Sequence, residues 1–220
     1  MKKGDFIEVD FIGRVSLTGE IFDLTSEKAA KENNIYDRKH NYRPALVVIG
    51  NLTVIPGLEK ELEKMNVGEE KEFEVNPEDG FGRRDPKLVK IISLSKFRQE
   101  KINPVPGAFV SIDGVHAKIQ SVSGGRVMVD FNHPLAGKSL KYKVRIVRQI
   151  TGPLEKSRSL LDHYGIKCNT ELAEGTLTVK PEKDVDKLIK EFLKQKIKDL
   201  ITEIKDVKFE EEGGKNKENK

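Results

Sequence analysis

Residues 54–82 read VIPGLEKELEKMNVGEEKEFEVNPEDGFG. Val54 and Ile55 close an apolar strand, and Pro56-Gly57 break it. Leu58, Leu62 and Met65 then recur at helical spacing, which predicts one short amphipathic helix. Gly68 ends that unit, and Phe73 and Val75 alternate with charges as a half-buried strand does. Asn76-Pro77 and Gly80-Phe81-Gly82 mark a turn that carries one aromatic ring. A strand–helix–strand corner of this kind serves packing as readily as chemistry, so its neighbours decide what it is.

Upstream, FIEVDF at residues 6–11 puts Ile7, Val9 and Phe11 on one face and Glu8 and Asp10 on the other, the pattern of an antiparallel strand with one wet side. Gly13 permits a bend or bulge, Thr18-Gly19 is a turn signal, and Ile21-Phe22 resume the apolar pattern directly before Asp23. Residues 25–43 are polar, with Ser26 placed to cap a short helix through Lys31. The run Leu46–Ile49 reads as a strand buried on both faces. Far downstream, SLKYKVRIVRQI at 139–150 restores clean alternation, with Leu140, Tyr142, Val144 and Ile146 on one side and Lys141, Lys143 and Arg145 on the other. One strand cannot bury such a face alone, so its partners must be the N-terminal strands. This makes residues 84–129 an insert in a domain formed by 1–83 and 130–150.

The insert has its own character. Val89, Ile91 and Ile92 form an apolar run, Ser95–Lys101 holds Phe97 in a helical turn, and NPVPG at 103–107 is a break. Three strands follow, Phe109–Ile112, Val115–Val122 and Arg126–Val129, separated by the hairpin signals Asp113-Gly114 and Ser123-Gly124-Gly125. It carries eight basic and three acidic residues, a surplus of +5 against +4 for the whole chain. After Gly152-Pro153, Leu154, Leu160 and Leu161 predict a helix ending near Gly165, and Leu177 and Val179 a short strand. Pro181 opens a long helical pattern with Val185, Leu188, Ile189, Phe192, Leu193, Ile197, Leu200 and Ile201 as a wide apolar stripe. Val207 and Phe209 suggest a last strand, and residues 211–220 are low-complexity and read as disordered. So small a piece has difficulty covering so wide a stripe, and self-association is one remedy. The fold class is therefore α+β, with a small all-β insert and a C-terminal α+β domain over 151–210.

Composition narrows the function. No run of apolar residues approaches the ~20 needed to cross a bilayer, and MKKGDFIEVDF lacks the apolar core of a secretory signal. Cys168 is the sole cysteine, so no internal disulfide forms and a cytoplasmic protein is the default. His40, His116, His133 and His163 are scattered, so no metal is expected, and without a Gly-rich phosphate loop no cofactor is expected. Nucleic acid is not an expected partner either, although the basic insert would be the feature to serve one.

Four segments in order resemble the FKBP-type peptidyl-prolyl isomerases. Phe11-Ile12-Gly13 with Gly19-Glu20-Ile21-Phe22-Asp23, then Val54-Ile55-Pro56-Gly57-Leu58, then Gly80-Phe81-Gly82, then Leu140–Val144 match the family's signature stretches. The insert after Gly82, followed by NHPLAGK at 132–138, is similar to the SlyD-like branch, which carries a chaperone domain in the flap. The extra C-terminal region resembles the long archaeal members. The resemblance implies an antiparallel half-barrel sheet wrapped on a short helix. It implies a proline pocket lined by Phe11, Phe22, Val54, Ile55, Leu58, Phe81, Leu135 and Tyr142. Leu58 would be its floor, the Ile55 N–H would bind a substrate carbonyl, and Asp23 would sit at the rim. Asp23, Ile55, Phe81 and Tyr142 would carry catalysis. The insert would hold unfolded, proline-containing chains, with Ile91, Phe97, Phe109, Val110 and Ile112 as candidates for an apolar groove or, equally, for the insert's own core. The C-terminal stripe implies a homodimer.

The chemistry is sufficient without nucleophile, metal or proton transfer. Rotation about an X–Pro bond crosses a barrier of about 18–20 kcal/mol set by amide resonance. An apolar pocket favours the twisted, less polar amide, and each ~1.4 kcal/mol of that preference is tenfold in rate. Two positions depart from the pattern. Phe11 and Phe81 stand where the family has tyrosine, so a hydroxyl donor is lost, and Leu58 replaces a tryptophan floor. These departures keep open a second reading, a holdase with a vestigial isomerase site.

Overall fold

The computed structural model describes residues 1–51 and 53–210. The tail 211–220 lies outside the described residues. Strand β1 (Phe6–Val15), β2 (Ile21–Leu24), helix α1 (Glu27–Glu32), β3 (Ala45–Val48), α2 (Pro56–Lys64) and β4 (Glu70–Val75) lead into the insert. The insert supplies β5 (Val89–Ser93), α3 (Leu94–Gln99), β6 (Phe109–Ile112), β7 (Val115–Ser123) and β8 (Arg126–Asp130). Then come β9 (Leu140–Ile150), α4 (Pro153–His163), β10 (Cys168–Ala173), β11 (Thr176–Pro181), α5 (Lys187–Leu200) and β12 (Asp206–Phe209). The fold is α+β, with an FKBP-like sheet ordered β2-β1-β9-β4 and β3 also pairing β1. The chain forms two compact units. One comprises Met1–Gly13, Asp23–Phe73 and the chain from Tyr142 onward; the other comprises Arg14–Phe22 and Glu74–Lys141.

In the first unit, β1 and β3 run antiparallel with Phe6 opposite Val48 and Val9 opposite Ala45. Helix α2 opens at Pro56, whose missing N–H costs nothing in a first turn. It buries Leu58 and Leu62, and Met65 is buried just beyond its end. Glu59 on the same helix is buried as well, and its Oε1 accepts the Gly50 N–H at 2.7 Å, so the carboxylate is not left unsatisfied. Strand β9 follows the alternation read from the sequence, with Tyr142, Val144 and Ile146 inside and Lys143 and Arg145 outside.

The C-terminal segment adds a sheet ordered β10-β11-β12, antiparallel between β10 and β11 and parallel between β11 and β12, with α5 as the crossover. Pro181 does not open the helix. It ends β11 opposite Cys168, beyond the reach of β12, where a residue without N–H breaks no ladder. The helix starts after Asp186, whose carboxylate accepts the Leu188 N–H at 2.7 Å. Leu193, Ile197 and Ile201 from the stripe share one core with Leu160, Leu161, Leu177 and Val179, and that core also takes in Phe6 and Val48 from β1 and β3. The segment thus covers much of its stripe against the first unit's own strands. This also explains why Leu46–Ile49 reads as buried on both faces. Leu188, Ile189 and Phe192 remain outside at 80%, 46% and 49% exposure.

In the second unit, the insert is a four-stranded antiparallel sheet ordered β5-β8-β7-β6. Asp113-Gly114 and Gly124-Gly125 all have positive φ and form the tight hairpin turns their chemistry suits. Phe97, Ile112, Ala117, Ile119, Val127 and Val129 form its core.

Candidate functional site

Phe11, Asp23, Val54, Ile55, Leu58 and Tyr142 all belong to the first unit. Tyr142 is buried on β9, with the Phe11 ring centroid at 6.0 Å, tilted 53°, and the Phe73 ring at 6.2 Å, near parallel. Burial, and after it the Asp23 carboxylate, push the Tyr142 phenol well above its ordinary value, so it stays protonated. Ile55 occupies the N-cap of α2, and its carbonyl accepts the Leu58 and Glu59 N–H groups at 3.1 Å. Its own N–H makes no hydrogen bond among the described residues. Val54 and Ile55 are half-buried, Leu58 is buried and Asp23 is exposed. Phe11 and Asp23 line one groove of 360 Å³.

Thr25, which the sequence reading passed over, ties this arrangement together. The Phe11 N–H donates to Thr25 Oγ1 at 2.9 Å, the Thr25 N–H donates to the Phe11 carbonyl at 3.1 Å, and the Thr25 hydroxyl donates to Asp10 at 2.9 Å. Phe11 and the end of the Asp23-Leu24-Thr25 segment are therefore locked in register.

The second unit holds Phe22, Phe81 and Leu135. The Phe22 and Phe81 rings meet edge to face at 6.3 Å. His133 lies flat on Phe81, with centroids 4.3 Å apart and planes 2° apart. Its Nδ1 accepts the Leu135 N–H at 3.2 Å, which leaves Nε2 to carry the ring's N–H. The insert's neck is in the same unit: Arg84 pairs with Asp130 at 2.8 Å, the Asp85 N–H donates to Asn132 at 2.8 Å, and the Gly137 N–H donates to the Gly82 carbonyl at 2.8 Å.

Comparison with known proteins agrees with the order of these elements. The sequence matches the family described as FKBP-type peptidyl-prolyl cis-trans isomerase over residues 1–97, and the family described as FKBP26, IF domain over residues 90–135. It is 38% identical to the short-type peptidyl-prolyl cis-trans isomerase of Methanocaldococcus jannaschii across 66% of this chain and 92% of that protein. It is 32% identical to the FKBP-type 16 kDa isomerase of Escherichia coli K12 across 50% and 76% of the two chains, and 30% identical to SlyD of Helicobacter pylori across 52% and 64%. The chain belongs to the FKBP-type peptidyl-prolyl cis-trans isomerases.

As an FKBP-type isomerase it carries an insert-in-flap domain of the chaperone type, the four-stranded sheet described above. Within that sheet the five residues read as a client groove separate. Phe97 and Ile112 lie in the insert's own core and reach no surface, because α3 and the inward side of β6 close on it. Val110 is half-buried against the same core. Ile91 and Phe109 stand out at 63% and 60% exposure, joined by Met128, opposite Ile91 across the β5–β8 pair. Met128 escaped the sequence reading, although its outward side follows from strand alternation once the register is known; Val115 is exposed at the end of the β6–β7 hairpin, on the side of buried Ile112, its cross-strand partner. Among the described residues, no helix is long and apolar enough to cross a membrane.

Proposed function

We propose that this isomerase accelerates X–Pro rotation in unfolded or nascent polypeptides during folding, and that the insert binds those chains. The reading is supported by family membership together with the half-buried apolar cluster at Tyr142 and the unengaged Ile55 N–H. In this proposal Phe11, Val54, Leu58 and Tyr142 hold the prolyl ring. Ile55 N–H binds the neighbouring carbonyl, and Asp23 faces the twisting amide. Phe22, Phe81 and Leu135, which belong to the second unit, are proposed separately as residues that contact substrate. Removing water from the amide favours its twisted form, because the planar form carries more charge separation. Ile91 and Phe109, with Met128, form the surface for unfolded chains. The domains proposed are 1–83 with 130–150 for isomerisation, 84–129 for client binding and 151–210 for assembly, in a cytoplasmic protein.

Refolding of a protein limited by proline isomerisation tests this. Substoichiometric amounts should raise the slow-phase rate in proportion to added isomerase. Suppressed aggregation with an unchanged slow phase would leave only the holdase reading. The homodimer is proposed through Leu188, Ile189 and Phe192, and sedimentation at micromolar concentration should then give twice the 24.9 kDa chain mass. A monomer under those conditions removes it.

A further inference from the structure

The groove that contains Phe11 and Asp23 extends away from the proposed prolyl site. Its position follows from β1. Strand β2 leaves β1 at Thr25, hydrogen-bonded to Phe11, and β3 joins β1 at Ala45, opposite Val9. Between these two points the chain makes the excursion 26–44, and the end of that excursion, His40 to Pro44, forms one wall of the groove. Leu24 and Leu46 add apolar floor. The opposite wall is helix α4 of the C-terminal segment, through Ser159, Asp162 and His163.

That wall is fixed. Leu160 and Leu161 of α4 sit in the same core as Phe6 and Val48. Arg148 on β9 joins Glu8 on β1 at 2.6 Å and also pairs with Glu155 on α4. Arg43 of the excursion pairs with Asp162. Two of the groove's three carboxylates, Glu8 and Asp162, are thereby neutralised, while Asp23 has no ion pair among the described residues.

We propose that this groove is a subsite for the stretch of client chain flanking the proline, and that α4 makes the C-terminal segment part of the isomerase's substrate-binding surface. The proposal rests on the reading that Phe11 and Asp23 belong to the prolyl site. Three observations select this occupant. The groove shares those two residues with the prolyl site. Its 360 Å³ is about 7 Å across as a cube, about two residues of extended chain. Its lining mixes apolar floor with polar walls, as a peptide of mixed side chains requires. The uncompensated Asp23 further selects a lysine or arginine in that flanking stretch, an attraction that salt weakens.

Two peptides test it: a proline tetrapeptide, and a decapeptide with the same centre extended on both sides and carrying lysine in the extensions. Ser159→Trp puts bulk into the groove from α4 and leaves Phe11 and Asp23 themselves unsubstituted. It should raise KM for the decapeptide at least fivefold and leave both kcat and the tetrapeptide kinetics unchanged, while Ser159→Ala changes neither substrate. An unchanged decapeptide KM overturns the subsite. Wild-type amide NMR provides a second reading that does not depend on the variant folding. The decapeptide should shift resonances of residues 40–43 and 159–163 that the tetrapeptide leaves still, and equal patterns from the two peptides overturn the proposal. Glutamate in place of lysine in the extensions should lower kcat/KM at least threefold at low salt; no difference rejects the selectivity for basic residues. If neither peptide moves Phe11 or Asp23, it is the prolyl-site reading that has failed, and shifts confined to residues 159–163 would then mark a groove without that connection.

Discussion

At Phe81 the ring is held on both sides, edge-on by Phe22 and face-on by His133. What it lacks is a hydroxyl. A net hydrogen bond is worth about 0.5–1.5 kcal/mol, which corresponds to about twofold to tenfold in rate when it is made in the transition state. Phe81→Tyr should therefore raise kcat/KM on a proline peptide by about that factor in a protease-coupled assay. No gain would mean that the stacked His133, with its Nε2–H, already fills the donor's place or that none is used. Tyr142 offers a pH test. Its folded-state pKa lies above the unfolded value because of burial first and Asp23 second. Above pH 10 the unfolded chain loses a proton that the native phenol keeps, so the native state is progressively disfavoured. The stability associated with this phenol is fully present below that range and declines as pH rises through it. Tyr142→Phe should flatten the fall in urea midpoint between pH 9 and 11, and an identical fall in both proteins would contradict the assignment.

Among the elements, α5 separates burial from pattern. Leu188 and Leu193 belong to one stripe in the sequence, yet Leu193 is fully buried and Leu188 is 80% exposed. Leu193→Ala should cost about 2–5 kcal/mol at any protein concentration, as large-to-small core changes do, whereas Leu188→Ala should stay within about 0.5 kcal/mol when the protein is dilute enough to be monomeric and cost more as the concentration rises and the proposed dimer buries Leu188. Urea denaturation at two protein concentrations reads both, and a Leu188→Ala cost that does not change with concentration would contradict the dimer. The same helix shows where sequence legibility stops. A helical stripe of eight apolar residues states that a face exists, and its width cannot say which half meets the chain's own strands. Strands β1 and β9 were legible because alternation over six or more residues has one physical meaning, and the insert's hairpins because Asp-Gly and Gly-Gly select their turns. Strand β10 was not, since its fully buried residue is Thr170, held by Arg158 at 2.8 Å, and CNTELA shows no apolar alternation. The proposed site divides the same way. Its apolar members were readable as motifs in order, while Thr25 and His133 are polar residues in polar runs whose roles come from contacts made only on folding.

For the whole molecule, the insert's attachment carries the consequence. The chain leaves and re-enters through one narrow neck: Val89 faces Asp130 across β5 and β8, Arg84 grips Asp130, and Asp85 and Asn132 exchange hydrogen bonds at 2.8 and 3.0 Å. Its core is built from its own side chains. Replacing residues 86–130 by a short Gly-containing turn therefore closes a small gap, and loop closure over so few residues adds little entropy cost. The two activities should then separate. Isomerisation of a short peptide needs only the prolyl site and should remain within about threefold of the intact protein, roughly 0.7 kcal/mol in the barrier. Acceleration of protein refolding should drop by one to two orders of magnitude, the scale of gain that a tethered second binding site confers through effective concentration. Restoring the insert with Ile91 and Phe109 changed to serine should leave its buried core intact and still not recover refolding activity, because those side chains face solvent at 63% and 60% exposure. Equal loss of peptide and protein activity in the excised form would instead make the insert part of the prolyl site. Full recovery by the serine-substituted insert would move the client surface elsewhere on that sheet.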